Sequence, residues 1–299
     1  MKNTHLNVWL MVIASTFFWG SNFNAAHALA DHTTPLTAAA ERFATAVLFF
    51  WALRFSLGKA ESTLTLRHFC VLIPLGVVGV FGFNYAFFTA MHTTSSLNAA
   101  LIMALSPMLS VLLSAFMLGS SIRPYQYIGI VLAFLGVTFV ITGGNFHQIH
   151  IVIGDAWMLL ACGVWSLYSV SSTKFAPDIP PLQFARWTVS IGATALIVMA
   201  FWVEEPLISI PKEPLKAHMI LLYMSVFGTV LAYIGWIKGV YFLGADKSAI
   251  AFNLVPVFSL LVSIVLGTPP HIVQIIGMIV VLGGVVLSSG WRPLALRTD

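Results

Sequence analysis

The stretch SSLNAALIMALSPMLSVL, residues 95–112, is long, apolar and uncharged, as a helix that crosses a membrane must be. Its middle holds Pro107, which has no backbone N–H and leaves the carbonyl of Met103, four residues earlier, without a helical partner. An unpaired carbonyl is costly in lipid, so we expect this break to face protein or a watery cavity.

A second stretch of the same kind lies half a chain away. Residues 248–261 read SAIAFNLVPVFSLL and contain Pro256, which follows Pro107 by 149 residues in a chain of 299. Two broken helices at corresponding places in two halves indicate the substrate site of a transporter. The alternative is that both prolines are tolerated kinks in packed helices.

The composition is that of a membrane protein. The chain is 59% hydrophobic and 8% charged, against about 25% charged in soluble domains, and its mean hydropathy is +0.94. The net charge of +4 is expected in cytoplasmic loops and not in a nucleic-acid site. Cys70 and Cys162 lie in apolar stretches without metal-ligand spacing, so we expect neither disulfide nor metal and predict no cofactor.

Ten apolar segments, each near the length that crosses hydrocarbon, follow one another along the chain. They are residues 6–28, 34–57, 69–90, 95–118, 124–143, 154–174, 181–203, 218–241, 245–266 and 271–290. A cleaved signal peptide is the alternative for the first, because Ala28-Leu29-Ala30 resembles a cleavage site.

Lysine and arginine predict the orientation. With the N-terminus in the cytoplasm, the two outer basic residues are Lys212 and Lys216. The inner ones are Lys2, Arg54, Lys59, Arg67, Arg123, Lys174, Lys238, Lys247, Arg292 and Arg297. This bias places both termini in the cytoplasm.

The two halves repeat one another. Trp19-Gly20-Ser21 corresponds to Trp165-Ser166-Leu167, and Pro35-Leu36 to Pro181-Leu182. The fifth and tenth segments share a glycine pattern of Gly129, Gly136 and Gly143 against Gly277 and Gly284. Because five spans are an odd number, the second repeat enters from the opposite side. We therefore predict an all-α polytopic membrane protein of two inverted five-helix repeats, 1–146 and 147–299, around a central cavity.

These residues resemble a known family. Trp19-Gly20-Ser21-Asn22-Phe23, Ala104-Leu105-Ser106-Pro107 and the glycine-rich fifth span are similar to EamA-type members of the drug/metabolite transporter superfamily. The resemblance covers both halves. It implies a ten-helix carrier of the bacterial inner membrane, often an exporter of amino acids or related metabolites.

A polar and aromatic set of side chains is predicted to bind the substrate. Rings can cover the apolar part of a small amphipathic molecule and attract an ammonium, while amides and hydroxyls orient it. The predicted set is Trp19, Asn22, Tyr85, Met103, Trp165, Tyr168, Tyr233, Trp236, Lys238, Phe252 and Asn253. For the tryptophans and tyrosines the alternative is an interfacial belt.

Charged residues within spans are functional candidates by default. Lys238 is either a ligand for a substrate carboxylate or a side chain that snorkels to the interface. Arg42 and Arg186 lie inside the second and seventh spans, and Arg186 reads as a cytoplasmic anchor. The sequence leaves proton coupling and downhill exchange equally open.

The predicted function is an alternating-access carrier for small metabolites, with amino acids first. Carriers of sugars, nucleotides or drugs, and a channel-like facilitator, are the alternatives. No HExxH or GxSxG motif occurs, so an enzyme is not predicted. The expected partners are a small-molecule substrate and the lipid bilayer, with no nucleic acid. The glycine-rich fifth and tenth spans are expected to pack the halves together in a monomer, with homodimerisation as the alternative.

Overall fold

The structure, a computed structural model, describes residues 2–57, 61–142, 144, 152–244, 248 and 251–288, and these residues contain helices and no strand. In chain order the helices are α1 Lys2–Leu29, α2 Pro35–Leu57, α3 Leu66–Met91, α4 Ser96–Met103, α5 Ser106–Leu118, α6 Pro124–Ile141, α7 Ile153–Phe175, α8 Pro181–Val203, α9 Pro206–Ser209, α10 Leu215–Leu243, α11 Leu254–Val265 and α12 Ile272–Ser288.

The helices have the length and apolar character that a membrane requires. Within the described residues, seven are long and apolar enough to cross one: α2, α3, α4 continued by α5, α6, α7, α8 and α10. The apolar helices α11 and α12 are shorter. The prediction of an all-α polytopic membrane protein is confirmed at this level, and the count of ten spans stays a prediction. Lys59, Lys247, Arg292 and Arg297, used to predict the orientation, lie outside the described residues.

Prolines and a glycine set several helix ends. α2, α6 and α8 begin at Pro35, Pro124 and Pro181, where a missing N–H costs no helical bond. α5 ends at Gly119, whose φ of +69° lies in the left-handed region that suits glycine.

Glycines let α6 and α12 pack closely, and so join the two halves of the chain. A Cβ on Gly136 would lie 2.9 Å from the backbone nitrogen of Val281, and one on Gly284 would lie 2.6 Å from the carbonyl oxygen of Gly129. Such distances admit no side chain, so these glycines set the separation of the helices. Gly143, the last glycine of the predicted pattern, lies outside the described residues.

Helices α2 and α8 form another pair between the halves, and polar contacts hold them together at both ends. At one end the Glu204 carboxylate accepts hydrogen bonds from the hydroxyls of Thr34 (2.5 Å) and Thr37 (3.1 Å) and from the backbone N–H groups of Leu36 (3.1 Å) and Thr37 (2.7 Å). A carboxylate suits this position because the N-terminus of a helix carries a partial positive charge.

At the other end, Glu61 pairs with Arg186 of α8 and, at 3.0 Å, with Arg54 of α2. Gln183 of α8 also donates a hydrogen bond from Nε2 to the Ser62 carbonyl at 2.8 Å. α2 and α8 are therefore held together at both ends by charged and polar contacts.

Candidate substrate-binding cavity

A cavity of about 900 Å³, including the part continuous with the exterior, lies between the helices. Its walls are aromatic and apolar with a few polar groups, which is the usual make-up of a small-molecule site. The lining residues are Trp19, Asn22, Phe23, Arg42, Phe43, Gly79, Val80, Phe83, Asn84, Phe87, Ala100, Met103, Ala104, Trp165, Tyr168, Val189, Gly228, Thr229, Tyr233, Phe252, Val255 and Pro256.

Two helix breaks open onto this cavity. α4 ends at Met103, a turn follows at Ala104 and Leu105, and α5 begins at Ser106 just before Pro107. In the second half, a turn at Asn253 precedes α11, whose third residue is Pro256. Met103, Ala104, Phe252 and Pro256 all line the cavity, so both interruptions lie beside it.

Two π-helical turns form a second matched pair beside the cavity. They are Val77–Gly82 within α3 and Val226–Leu231 within α10, and their starts are 149 residues apart, as the two prolines are. π-Turns within α-helices occur often at functional sites. Each contributes a glycine to the cavity wall, Gly79 and Gly228.

Those two glycines touch corresponding residues of the two halves. A Cβ on Gly79 would lie 2.0 Å from the Tyr168 ring, and one on Gly228 would lie 2.3 Å from the Asn22 amide. Tyr168 follows Trp165 by three residues, and Asn22 follows Trp19 by three. The contacts therefore relate Trp19 to Trp165, the correspondence that the sequence motif suggests.

The two tryptophans line the cavity within groups of other rings. The Trp19 ring lies 6.5 Å from Tyr233, 5.1 Å from Trp236 and 5.6 Å from Phe252, measured between centroids. The Trp165 ring lies 5.3 Å from Phe83 and 5.6 Å from Tyr168. Both tryptophans are partly exposed, as side chains in the wall of a cavity are.

The structure brings seven of the predicted binding residues together in the cavity wall: Trp19, Asn22, Met103, Trp165, Tyr168, Tyr233 and Phe252. Four others lie elsewhere. Tyr85 contacts the rings of Phe81 and Trp157, and Trp236 packs on Trp19. Lys238 is exposed, away from the cavity wall, and Asn253 is buried in the turn before α11.

The sequence prediction missed several lining residues, foremost Arg42. They include Phe43, Phe83, Asn84 and Phe87, which carry no motif, and Phe23, the last residue of the motif that begins at Trp19. Arg42 did carry a signal, because a charge within a membrane span is a functional candidate by default. Its place beside Glu41 near a span end obscured that signal.

Arg42 is buried, and its guanidinium has few partners. Nη2 donates a hydrogen bond to the Thr229 hydroxyl at 3.1 Å, and the Cζ atom lies 5.1 Å from the centroid of the Phe43 ring. The Nε atom is buried, and no residue in the described part of the chain accepts a hydrogen bond from it. Two acceptors in the same wall, Asn22 Oδ1 and Asn84 Oδ1, are likewise buried without a donor.

A separate group of acidic and histidine side chains links α2 to the start of α10. The ligand-type atoms of Glu41, Glu213 and His218 lie within 4.8 Å of one another. His218 Nδ1 and Glu41 Oε1 are 2.7 Å apart and form a hydrogen bond. Burial raises the pKa of the Glu213 carboxyl, which lies in the segment between α9 and α10. This hydrogen bond between helices accounts for the position of His218, and the group does not line the cavity.

The apolar helices, the interrupted spans and the cavity between the helices define the class: a polytopic membrane protein. The chain belongs to the EamA-like transporter family, which matches it twice, over residues 7–142 and 152–290. Its relatives are named as transporters, and it is not an enzyme.

One relative matches nearly the whole chain and another matches part of it. An uncharacterized transporter of Bacillus subtilis, YyaM, is 35% identical over 290 residues, which are 96% of this chain and 94% of the relative. An aromatic amino acid exporter of Ancylobacter novellus, YddG, is 32% identical over 126 residues, which are 41% of this chain and 43% of the relative. A solved crystal structure at 20% identity matches with a TM-score of 0.66 over 94% of this chain and 96% of its own, which shows the fold.

Proposed function

We propose that the protein is an alternating-access carrier that exports a small amphipathic metabolite, with amino acids as the first candidates. The observation that carries the proposal is the cavity itself, which lies where two interrupted helices and two π-helical turns meet. Interrupted helices at corresponding places in two halves are typical of transporter substrate sites. The partial relative named as an aromatic amino acid exporter supports the choice of substrate and direction.

The proposal includes two inverted five-helix repeats, 1–146 and 147–299, with both termini in the cytoplasm of a bacterial cell. Matched contacts support the repeats. Ser166 donates a hydrogen bond to the Ser106 carbonyl at 3.0 Å, and at the corresponding place Gly20 lies against the Val255 carbonyl, 2.5 Å from a built Cβ. Helix α1 packs on α10 and α11, as α7 packs on α3, α4 and α5.

Counterflow in proteoliposomes tests the carrier. Purified protein is reconstituted with a panel of unlabelled amino acids, sugars and nucleotides inside, and entry of the labelled solute is followed. A carrier gives saturable uptake that a trapped solute accelerates. We expect this for an apolar or aromatic amino acid, and flux that rises linearly with concentration would contradict the carrier and favour a channel-like facilitator.

Uptake into inverted membrane vesicles tests the direction. Export from the cell corresponds to uptake by such vesicles, so the solute that shows counterflow should accumulate in them when cells express the protein. Saturable counterflow of a sugar or nucleotide alone would keep the carrier and replace the substrate class.

A further inference from the structure

We propose that Arg42 binds a carboxylate of the transported molecule, so that the substrates are amphipathic carboxylates. This inference rests on the proposed function, because it assigns a ligand group to the same cavity. It replaces Lys238, the basic residue that the sequence suggested for this task and that the structure exposes away from the cavity.

The argument begins with the cost of burying a charge. An ionised side chain taken from water into an apolar interior needs an opposite charge or a full set of hydrogen bonds. Arg42 is 7% exposed, yet in the part of the chain that the structure describes no carboxylate forms an ion pair with it. The Thr229 hydroxyl and the Phe43 ring compensate only part of this cost.

A second buried arginine, whose Nε atom also lacks a hydrogen-bond partner among the described residues, does have an acidic partner. The Arg186 side chain is 2% exposed, pairs with the Glu61 carboxylate and lies over the Trp51 ring at 4.9 Å. Glu61 also pairs with Arg54 at 3.0 Å, so this acid is shared by Arg186 and Arg54. Arg186 is thus neutralised within the protein, whereas the positive charge of Arg42 faces a cavity.

The position of Arg42 makes this charge available to a ligand. Arg42 and Thr229 both line the cavity, and a hydrogen bond joins their side chains. A guanidinium can bind both oxygens of a carboxylate at once through parallel N–H groups. Among the described residues that line the cavity Arg42 is the sole charged one, so a bound carboxylate meets no competing acid there.

The neighbouring polar atoms indicate a second group on the ligand. Asn22 Nδ2 approaches the Gly228 carbonyl at 3.5 Å, so Asn22 and Arg42 reach successive residues of one π-turn. Asn22 Oδ1 has no donor, and it can accept from an ammonium or hydroxyl next to a carboxylate. The rings of Trp19 and Tyr233 then cover the apolar part of the molecule.

Matched pairs of probes test this inference. Each pair has the same apolar body and differs in one group: L-phenylalanine and L-phenylalaninamide, L-leucine and L-leucinamide, 3-phenylpropionate and 3-phenylpropanamide. Binding is measured by quenching of tryptophan fluorescence, and transport by counterflow. We expect the carboxylate of at least one pair to bind about tenfold to a hundredfold more tightly than its amide, as loss of a charge-assisted hydrogen bond predicts.

Two variants locate the preference. In Arg42→Gln we expect the carboxylate and the amide to bind equally weakly. The control, Lys216→Gln, removes the same charge from an exposed position at the start of α10 and should keep the preference. If Arg42→Gln does not fold, Arg42→Lys is used, because lysine keeps the positive charge but lacks the paired N–H groups of the guanidinium. We expect this variant to prefer the carboxylate over the amide several-fold less than the unchanged protein does.

The outcomes separate the two proposals. Equal binding of acid and amide by the unchanged protein, or a preference retained in Arg42→Gln, overturns the role of Arg42 while saturable counterflow still supports the carrier. Absence of saturable counterflow for every solute overturns the carrier, and the inference about its ligand falls with it.

Discussion

The indole rings of Trp19 and Trp165, one from each half of the chain, lie in the cavity wall. Each ring touches aromatic neighbours on one side and borders open space on the other. A large apolar ring with one N–H donor suits contact with the apolar part of a substrate. Truncation of such a residue enlarges an existing space and leaves no sealed void, so its cost in stability differs from that of a core residue.

We expect Trp19→Ala and Trp165→Ala to stay folded in detergent and to lose transport. The unfolding free energy should fall by about 0.5 kcal/mol, as for surface positions. Truncation of a buried aromatic residue would instead cost about 3–5 kcal/mol. Thermal unfolding and counterflow measure the two effects. Trp202→Ala, at a side chain that is 79% exposed, is the control and should transport normally. Variants that unfold, or that transport normally, would place the site elsewhere.

Gly79 has no room for a side chain. A Cβ there would lie 2.0 Å from Cδ2 and 2.8 Å from Cβ of Tyr168, so the whole tyrosine would have to move. We expect Gly79→Ala to cost about 1–3 kcal/mol, as overpacking does, and to weaken substrate binding because Tyr168 lines the cavity. Thermal unfolding and fluorescence titration check this.

Gly82 supplies the control for that substitution. It belongs to the same π-turn, and the nearest atom to its built Cβ is 3.6 Å away. Gly82→Ala should therefore leave both measurements near those of the unchanged protein. Equal effects at the two glycines would mean that the π-turn itself, and not the contact with Tyr168, is sensitive.

The binding residues predicted in α1 and α7 line the cavity wall, and the one predicted in α3 does not. Trp19 and Asn22 lie three residues apart on an unbroken helix, and both line the cavity. In α3 the predicted residue was Tyr85, whereas Phe83, Asn84 and Phe87 line the wall. These three residues lie on another face of the helix, just after the π-turn at 77–82, and no motif in the sequence marks that face.

At the scale of elements, the interrupted helices were predictable because proline has a fixed chemistry. A missing N–H and a ring that clashes with the preceding turn act in any context. The π-turns depend on packing around Gly79 and Gly228, which only the folded chain contains. The same holds for Arg42, whose lack of an acidic partner among the described residues is a property of the assembled helices.

We expect Pro107→Ala and Pro256→Ala to reduce transport while expression is maintained. Alanine restores an N–H that can bond the carbonyl of Met103 or Phe252, four residues earlier, and so favours a continuous helix. Both carbonyls belong to residues that line the cavity. Counterflow at equal protein density measures the effect.

Pro124→Ala is the control for these substitutions. Pro124 is exposed and is the first residue of α6, where the missing N–H has no helical partner to lose. Its transport should equal that of the unchanged protein. Unchanged transport in both Pro107→Ala and Pro256→Ala would reduce those prolines to tolerated kinks.

For the whole molecule, the predicted orientation can be tested by cysteine labelling in a Cys70→Ala background, which removes the exposed native thiol. With both termini in the cytoplasm, Asp31→Cys and Leu207→Cys should react with a membrane-impermeant maleimide added to intact cells. Thr63→Cys should react only after the cells are opened. All three side chains are exposed, so access depends on the side of the membrane. The opposite labelling would remove the inverted-repeat proposal.

The polar contacts at both ends of the α2 and α8 pair limit the ways in which the cavity can open to either side of the membrane. Four hydrogen bonds to Glu204 hold one end of the pair, and the contacts of Glu61 and Ser62 hold the other. Separation at either end would break these hydrogen bonds and ion pairs and is therefore unfavourable. A motion in which α2 and α8 move together as one rigid body keeps these contacts. In the proposed carrier we therefore expect the rest of the bundle to move relative to this pair, and solutes to enter and leave along other helix boundaries.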